Sequence, residues 1–195
     1  MPAPLEIFAS GAVELYLAVT GTAEPLTNAA PAGAWIKVGV AGSQDYAEDG
    51  VRITKATTNN EIFALGSYGV RKVFRDRETL KIALKLMDAT LEALRDAFNQ
   101  TVVTTALIGA GPAQDKAIPL LESQATPTFR AALIRLSNSP YLDGGGFQFW
   151  VPLVYSTGAT EIGFKKTEPV GIELELTAIA DSATGFGKIR AQTIA

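Results

Sequence analysis

TLKIALKLMDATLEALRDAFNQ, residues 79–100, changes its hydrophobic period partway along. Leu80, Ile82, Leu84 and Leu86 recur every second residue with Lys81 and Lys85 between them, which is the spacing of a strand with one buried face. After Asp88 the apolar residues fall at Leu91, Leu94 and Phe98, one stripe of a helix. Asp88 or Thr90 supplies an N-cap, Glu92 a first-turn acid and Asn99 a stop, so the stretch predicts a strand followed by a short helix at about 89–98.

Strand spacing dominates the rest of the chain. GAVELYLAVTG sets Val13, Leu15, Leu17 and Val19 against Glu14, Tyr16 and Ala18. Further strands are expected at 34–42, 51–65 (with a turn at Asn59-Asn60), 101–108, 128–137, 147–156, 160–166 and 171–180. Asp143 to Gly146, Ser156 to Gly158 and Asp181 to Gly185 carry turn residues. Many strands with one helix predict a single domain, 1–195, that is mainly β: an antiparallel sandwich or partial barrel with one flanking helix. Three segments read as long loops, about 21–33, 66–78 and 109–127.

Composition narrows function. The chain has 195 residues, no cysteine and no histidine, which removes disulfides, thiolate chemistry, histidine metal sites and a Ser-His-Asp triad. No catalytic residue, cofactor or metal is expected, and the chain is not read as an enzyme. With 17 basic and 20 acidic residues it lacks the cationic excess of a protein that grips nucleic acid. The longest apolar run, Phe149 to Tyr155, contains Pro152 and is too short for a membrane span; Glu6 and Glu14 interrupt the N-terminal apolar residues, so no secretory leader is expected.

Local motifs read as ordinary structure. GAGPAQ (109–114) has Gln114 at the third glycine position of a dinucleotide loop and no βαβ context, so it is a turn. Asn99-Gln100-Thr101 matches a glycosylation sequon without a leader to expose it, and the DGGG at 143–146 lacks the oxygen ligands of a calcium loop. Phe147, Phe149, Val151, Leu153 and Tyr155 share one expected strand face, a core face; Trp150 points the other way and is a candidate partner contact. Glu173 and Glu175 share a strand face, either solvated, catalytic as a carboxylate pair, or lining something negative. Arg71, Lys72, Arg75 and Arg77 form a basic run and Asp45, Glu48 and Asp49 an acidic one, either a scattered solvated surface or a reciprocal pair between identical subunits.

The strand ETLKIALKLMD followed by ATLEALRDAFN resembles the core pattern of phage major tail tube proteins. Upstream, YAEDGVRITKATTNNEIFALGSYGVRKVFRDR is similar to the segment that precedes it in that family. The close, GIELELTAIAD, SATG and FGKIRAQTIA, also fits, and the resemblance covers roughly 35–100 and 145–195. It implies a β-sandwich subunit of the tail tube and type VI secretion tube superfamily, most similar to the siphophage type. It further implies six-fold rings stacked into a hollow tube, with tape measure, tail tip and terminator proteins as partners. Double-stranded DNA would transit the lumen without specific binding, and the protein would reside in the virion tail after synthesis in the host cytoplasm. Glu14, Glu173 and Glu175 are the lumen-facing candidates, because carboxylates repel passing phosphates. Segment 66–78 is the expected arm to the next ring. The alternative is a monomeric carbohydrate-binding module using Trp150, Trp35 and Tyr141.

Overall fold

The computed structural model describes residues 12–39, 42–63, 65–66, 68–87, 89–100, 103–107, 114–120, 127–141, 145–157, 162 and 170–193. In chain order the strands are β1 Val13–Val19, β2 Ile36–Lys37, β3 Tyr46–Phe63, β4 Val70–Leu86, β5 Thr104–Leu107, β6 Gln114–Ala117, β7 Arg130–Leu136, β8 Phe147–Ser156, β9 Ile172–Ala178 and β10 Lys188–Ala191. The helix α1, Leu91–Ala97, lies between β4 and β5, and a short 3-10 turn, Gly42–Asp45, precedes β3. An antiparallel sheet of eight strands runs β2-β1-β7-β8-β9-β4-β3, with β10 also on β8, while β5 and β6 pair separately. The sheet ends at β2 and β3 and does not close into a barrel among the described residues. The mainly β class with one flanking helix therefore agrees with the sequence expectation.

One buried cluster draws on both halves of the sheet. Leu15 and Leu17 of β1, Ile134 of β7 and Val151 of β8 meet Ile82 and Leu84 of β4 and Leu174 of β9. This is the strict period-2 pattern of the sequence turned inward. Thr90 caps α1 by accepting from the Ala93 amide at 3.3 Å. The helix buries Ala93 and Ala97, with Leu94 beside them, rather than centring on a Leu91–Leu94–Phe98 stripe. Small residues at positions i and i+4 allow close approach, and the Ala97 carbonyl accepts from the Ser156 hydroxyl at 2.8 Å. The Asp96 carboxylate ties α1 to β7 through Arg130 at 2.5 Å.

One facing departs from expectation. On β8 an extra residue shifts the register between Arg130↔Val154 and Ala132↔Val151. Pro152, which lacks a ladder N–H, sits in that bulge. Val154 rather than Leu153 or Tyr155 then faces the core, and Tyr155 packs edge-on against Phe129. Trp150 does point the other way, as expected, and on that outer face is half-buried against the cluster of Tyr16, Ala18, Trp35, Ala131 and Leu133.

That outer layer is held by segment 20–35, of which the sequence reads 21–33 as a plain loop. The Arg135 guanidinium donates to the carbonyls of Leu26, Thr27 and Ala29. Gln148, fully buried, donates to Glu24 at 3.0 Å and to the Pro25 carbonyl at 2.9 Å. Trp35 donates its indole N–H to the Ala23 carbonyl at 3.3 Å. Most of the buried donors here find an oxygen, as desolvation requires, while the Gln148 Oε1 and the Trp150 indole N–H have no hydrogen-bond partner among the described residues.

The expected strand at 34–42 reduces to Ile36–Lys37. Segment 66–78 is not a loop beyond residue 69, since β4 begins at Val70. Asn59-Asn60 is not a turn either, because both residues stay on the ladder opposite Arg75 and Phe74. Within 109–127, Gln114–Ala117 is strand β6. Residues 109–113, 121–126 and 142–144, and all but residue 162 of the expected 160–166 strand, lie outside the described residues.

Candidate functional site

The β3–β4 hairpin outgrows the body. From its root to Leu80 it packs on the core, with Ile53 opposite Ile82 and Val51 opposite Leu84. Beyond that level every residue of Thr54–Phe63 and of Val70–Arg77 is exposed. Ten residues of extended chain make an arm of roughly 30 Å. A two-stranded ribbon without a covering layer is marginal in water. This one nevertheless displays Ile62, Phe63, Leu65, Tyr68, Val73 and Phe74, with Leu65 and Tyr68 wholly exposed. Such an apolar surface marks a contact site.

Local chemistry shapes the arm. A register shift between Thr58 and Asn59 leaves Asp76 as the extra residue, which brings Arg75 onto the face of Glu78. Glu78 then bridges Arg75 at 2.7 Å and, across the ladder, Lys55 at 3.5 Å. On the opposite face the Lys72 ammonium lies 4.6 Å from the centre of the Phe74 ring. At the root, β3 bulges between Tyr46 and Val51, so that Ala47 to Gly50 oppose Lys85 alone. Gly50 adopts a φ of +63°, a left-handed value that a side chain resists, and the bulge thrusts Glu48 and Asp49 into solvent.

The structure thus places the basic run, Arg71, Lys72, Arg75 and Arg77, on the outer half of the arm, and Glu48 and Asp49 at its root. Asp45, in the 3-10 turn, accepts from the Met87 amide through its carbonyl at 2.7 Å. Glu173 and Glu175 share the outward face of β9, while Glu14 stands on β1 with β7 and β8 between. Glu175 meets Lys81 at 2.8 Å, and Glu173 lies opposite Lys85. With Arg52 and Asp49 nearby, that recess balances its charges instead of accumulating carboxylates. Nor do the aromatics form a platform: Trp35 is buried, Trp150 half-buried, and only Tyr141 is open. The arm's apolar residues are the ones that sequence reading missed; their only signal is apolar character without a core-facing period.

Glu14 has its own pH consequence. Burial pushes its carboxyl up, but Lys37 at 2.6 Å and the Tyr16 hydroxyl at 2.5 Å outweigh it and hold the pKa below the ordinary 4.5. Burial first, and then the Glu14 carboxylate that accepts its hydrogen bond, push the Tyr16 phenol up. A depressed carboxylate contributes stability that is present above its unfolded pKa and drains as pH falls through the folded one. Thermal melts of Glu14→Gln are therefore expected to match wild type most closely near pH 3 and to fall below it at pH 6. An unchanged gap across that range would rule the coupling out.

No family model matches the chain, and no curated protein matches it. A solved chain described as "Cryo-EM structure of the anti-feeding prophage (AFP) baseplate, 6-fold symmetrised" is similar at 10% identity and a TM-score of 0.47. The match covers 99% of this chain and 98% of that one. At that identity and TM-score the likeness carries no argument, and function has to be argued from this chain's own residues.

Proposed function

We propose that the chain is a structural, non-enzymatic subunit of a phage-type tail tube. Copies close into six-fold rings, and the rings stack into a hollow tube that carries double-stranded DNA. The observation that carries this reading is the arm, a ribbon of roughly 30 Å whose apolar side chains no described residue of its own chain covers. Ring closure by heterologous contacts would cover the β2 and β3 sheet edges, and stacking would cover arms that reach the next ring. The pattern that resembles the tail tube family, a strand running directly into a helix, is the same β4–α1 unit from which the arm springs. In this reading the subunit is made in the host cytoplasm, resides in the virion tail, and meets tape measure, terminator and tip proteins. A sugar-binding reading loses support because Trp35 is buried and Trp150 is half-buried against the same cluster.

The test is assembly of the purified full-length protein, followed by sedimentation velocity at rising concentration with negative-stain electron microscopy on the same samples. Rings or hollow rods are expected. A monomer that persists at high concentration, even beside the cognate tail-tip complex, would overturn the reading.

A further inference from the structure

The arm's ladder register assigns its side chains to faces, because residues directly opposite in an antiparallel pair project to the same side. Asn60 lies opposite Phe74 and Ile62 opposite Lys72, so Ile62, Lys72 and Phe74 share one face. Glu61 lies opposite Val73 and Phe63 opposite Val70, which puts Phe63, Val70 and Val73 on the other. Each face therefore carries large, exposed apolar side chains. A ribbon that lies on a single surface alternates apolar-in with polar-out. This one does not, and docking on one surface would leave an apolar set in water whichever face it chose.

We infer that the arm of one copy is clasped between two further copies of this chain, one against each face. The inference rests on the tube reading above. Charge selects copies as the occupants. Of the 17 basic and 20 acidic residues, five basic and two acidic lie in 54–77, so the arm is at +3 while the rest of the chain is at −6. Glu48 and Asp49, on the exposed root bulge, offer a cationic arm its counter-charge. They do not serve their own arm: Lys55, opposite Leu80 and five ladder positions or about 17 Å from Lys85, is already bridged by Glu78, and Arg77 stands eight positions or about 25 Å away. The match is made between molecules, root to tip.

The chain has no cysteine, so single thiols report cleanly. Ile62→Cys and Phe63→Cys place a thiol on alternate faces. Each variant, mixed as a small fraction into excess wild-type protein so that assembly is undisturbed, is treated with a maleimide before and after assembly. Both thiols are expected to label freely in the monomer and to lose labelling in the assembled particle. Particles in which one position stays reactive would overturn the two-sided clasp while leaving the tube reading intact, and so would particles in which both stay reactive. A wild-type chain that never assembles, with both thiols reactive throughout, would overturn both. Protection that appears only when another protein or nucleic acid is added to a monomeric chain would show that the occupants are not copies, and would also overturn the clasp.

Discussion

Joining Thr57 to Glu78 through an Asn-Gly turn, with residues 58–77 removed, is expected to give a chain that folds but does not assemble. The two residues are ladder partners, and Asn-Gly is the preferred two-residue hairpin connection. Every described residue removed is exposed, so the core loses nothing. Thermal melting should stay within a few degrees of wild type. Association should collapse. Half of the usual ~1.5 kcal/mol per buried apolar side chain, taken over Ile62, Phe63, Leu65, Tyr68, Val73 and Phe74, comes to about 4–5 kcal/mol, or more than roughly a thousandfold. Sedimentation velocity reads the result directly. Assembly at the wild-type concentration would mean that the arm is dispensable.

The second large effect is on stability. Trp35→Ala is expected to lose about 3–5 kcal/mol in urea unfolding, the usual cost of emptying a buried tryptophan site. Trp35 sits on Tyr16, Ala18 and Leu133 and anchors segment 20–35 through its hydrogen bond to the Ala23 carbonyl. Losing it would uncover Leu133, which is 0% exposed, and free the segment that Arg135 and Gln148 hold by backbone carbonyls. A tryptophan presented to a sugar would behave oppositely, with binding lost and stability kept. A loss under about 1 kcal/mol would therefore reopen the sugar-binding reading.

What the sequence disclosed follows from where its side chains are buried. Leu80 to Leu86 and Ile172 to Leu176 each have one face in the core, so their alternation declared both the strands and the facing. The outer half of β4 has no core against it, and VRKVFRDR consequently reads as a charged loop although it is fully laddered. Asn59-Asn60 has turn chemistry, but cross-strand pairing with Arg75 and Phe74 overrides it. On β8 a single bulge at Pro152 moved the inward facing from Leu153 to Val154, a shift invisible to any period count. Segment 20–35 is fixed by its carbonyl oxygens, which every residue has, so its composition gave no sign of order. Among the site residues, the basic and acidic runs were legible as charges. Their separation along one hairpin was not, since it depends on the turn falling between Phe63 and Val70 rather than at Asn59.

A ladder-paired arm also has parity. Taking one rung from both strands shortens the reach by about 3.4 Å and turns every outer side chain by half a rotation, which exchanges its two faces. Taking two rungs shortens it by roughly 7 Å and restores them. In a tube built as proposed, the axial repeat could therefore drift through evolution only in double steps. A relative with an odd change would need a compensating bulge like the one that already sets Asp76 apart from its neighbours.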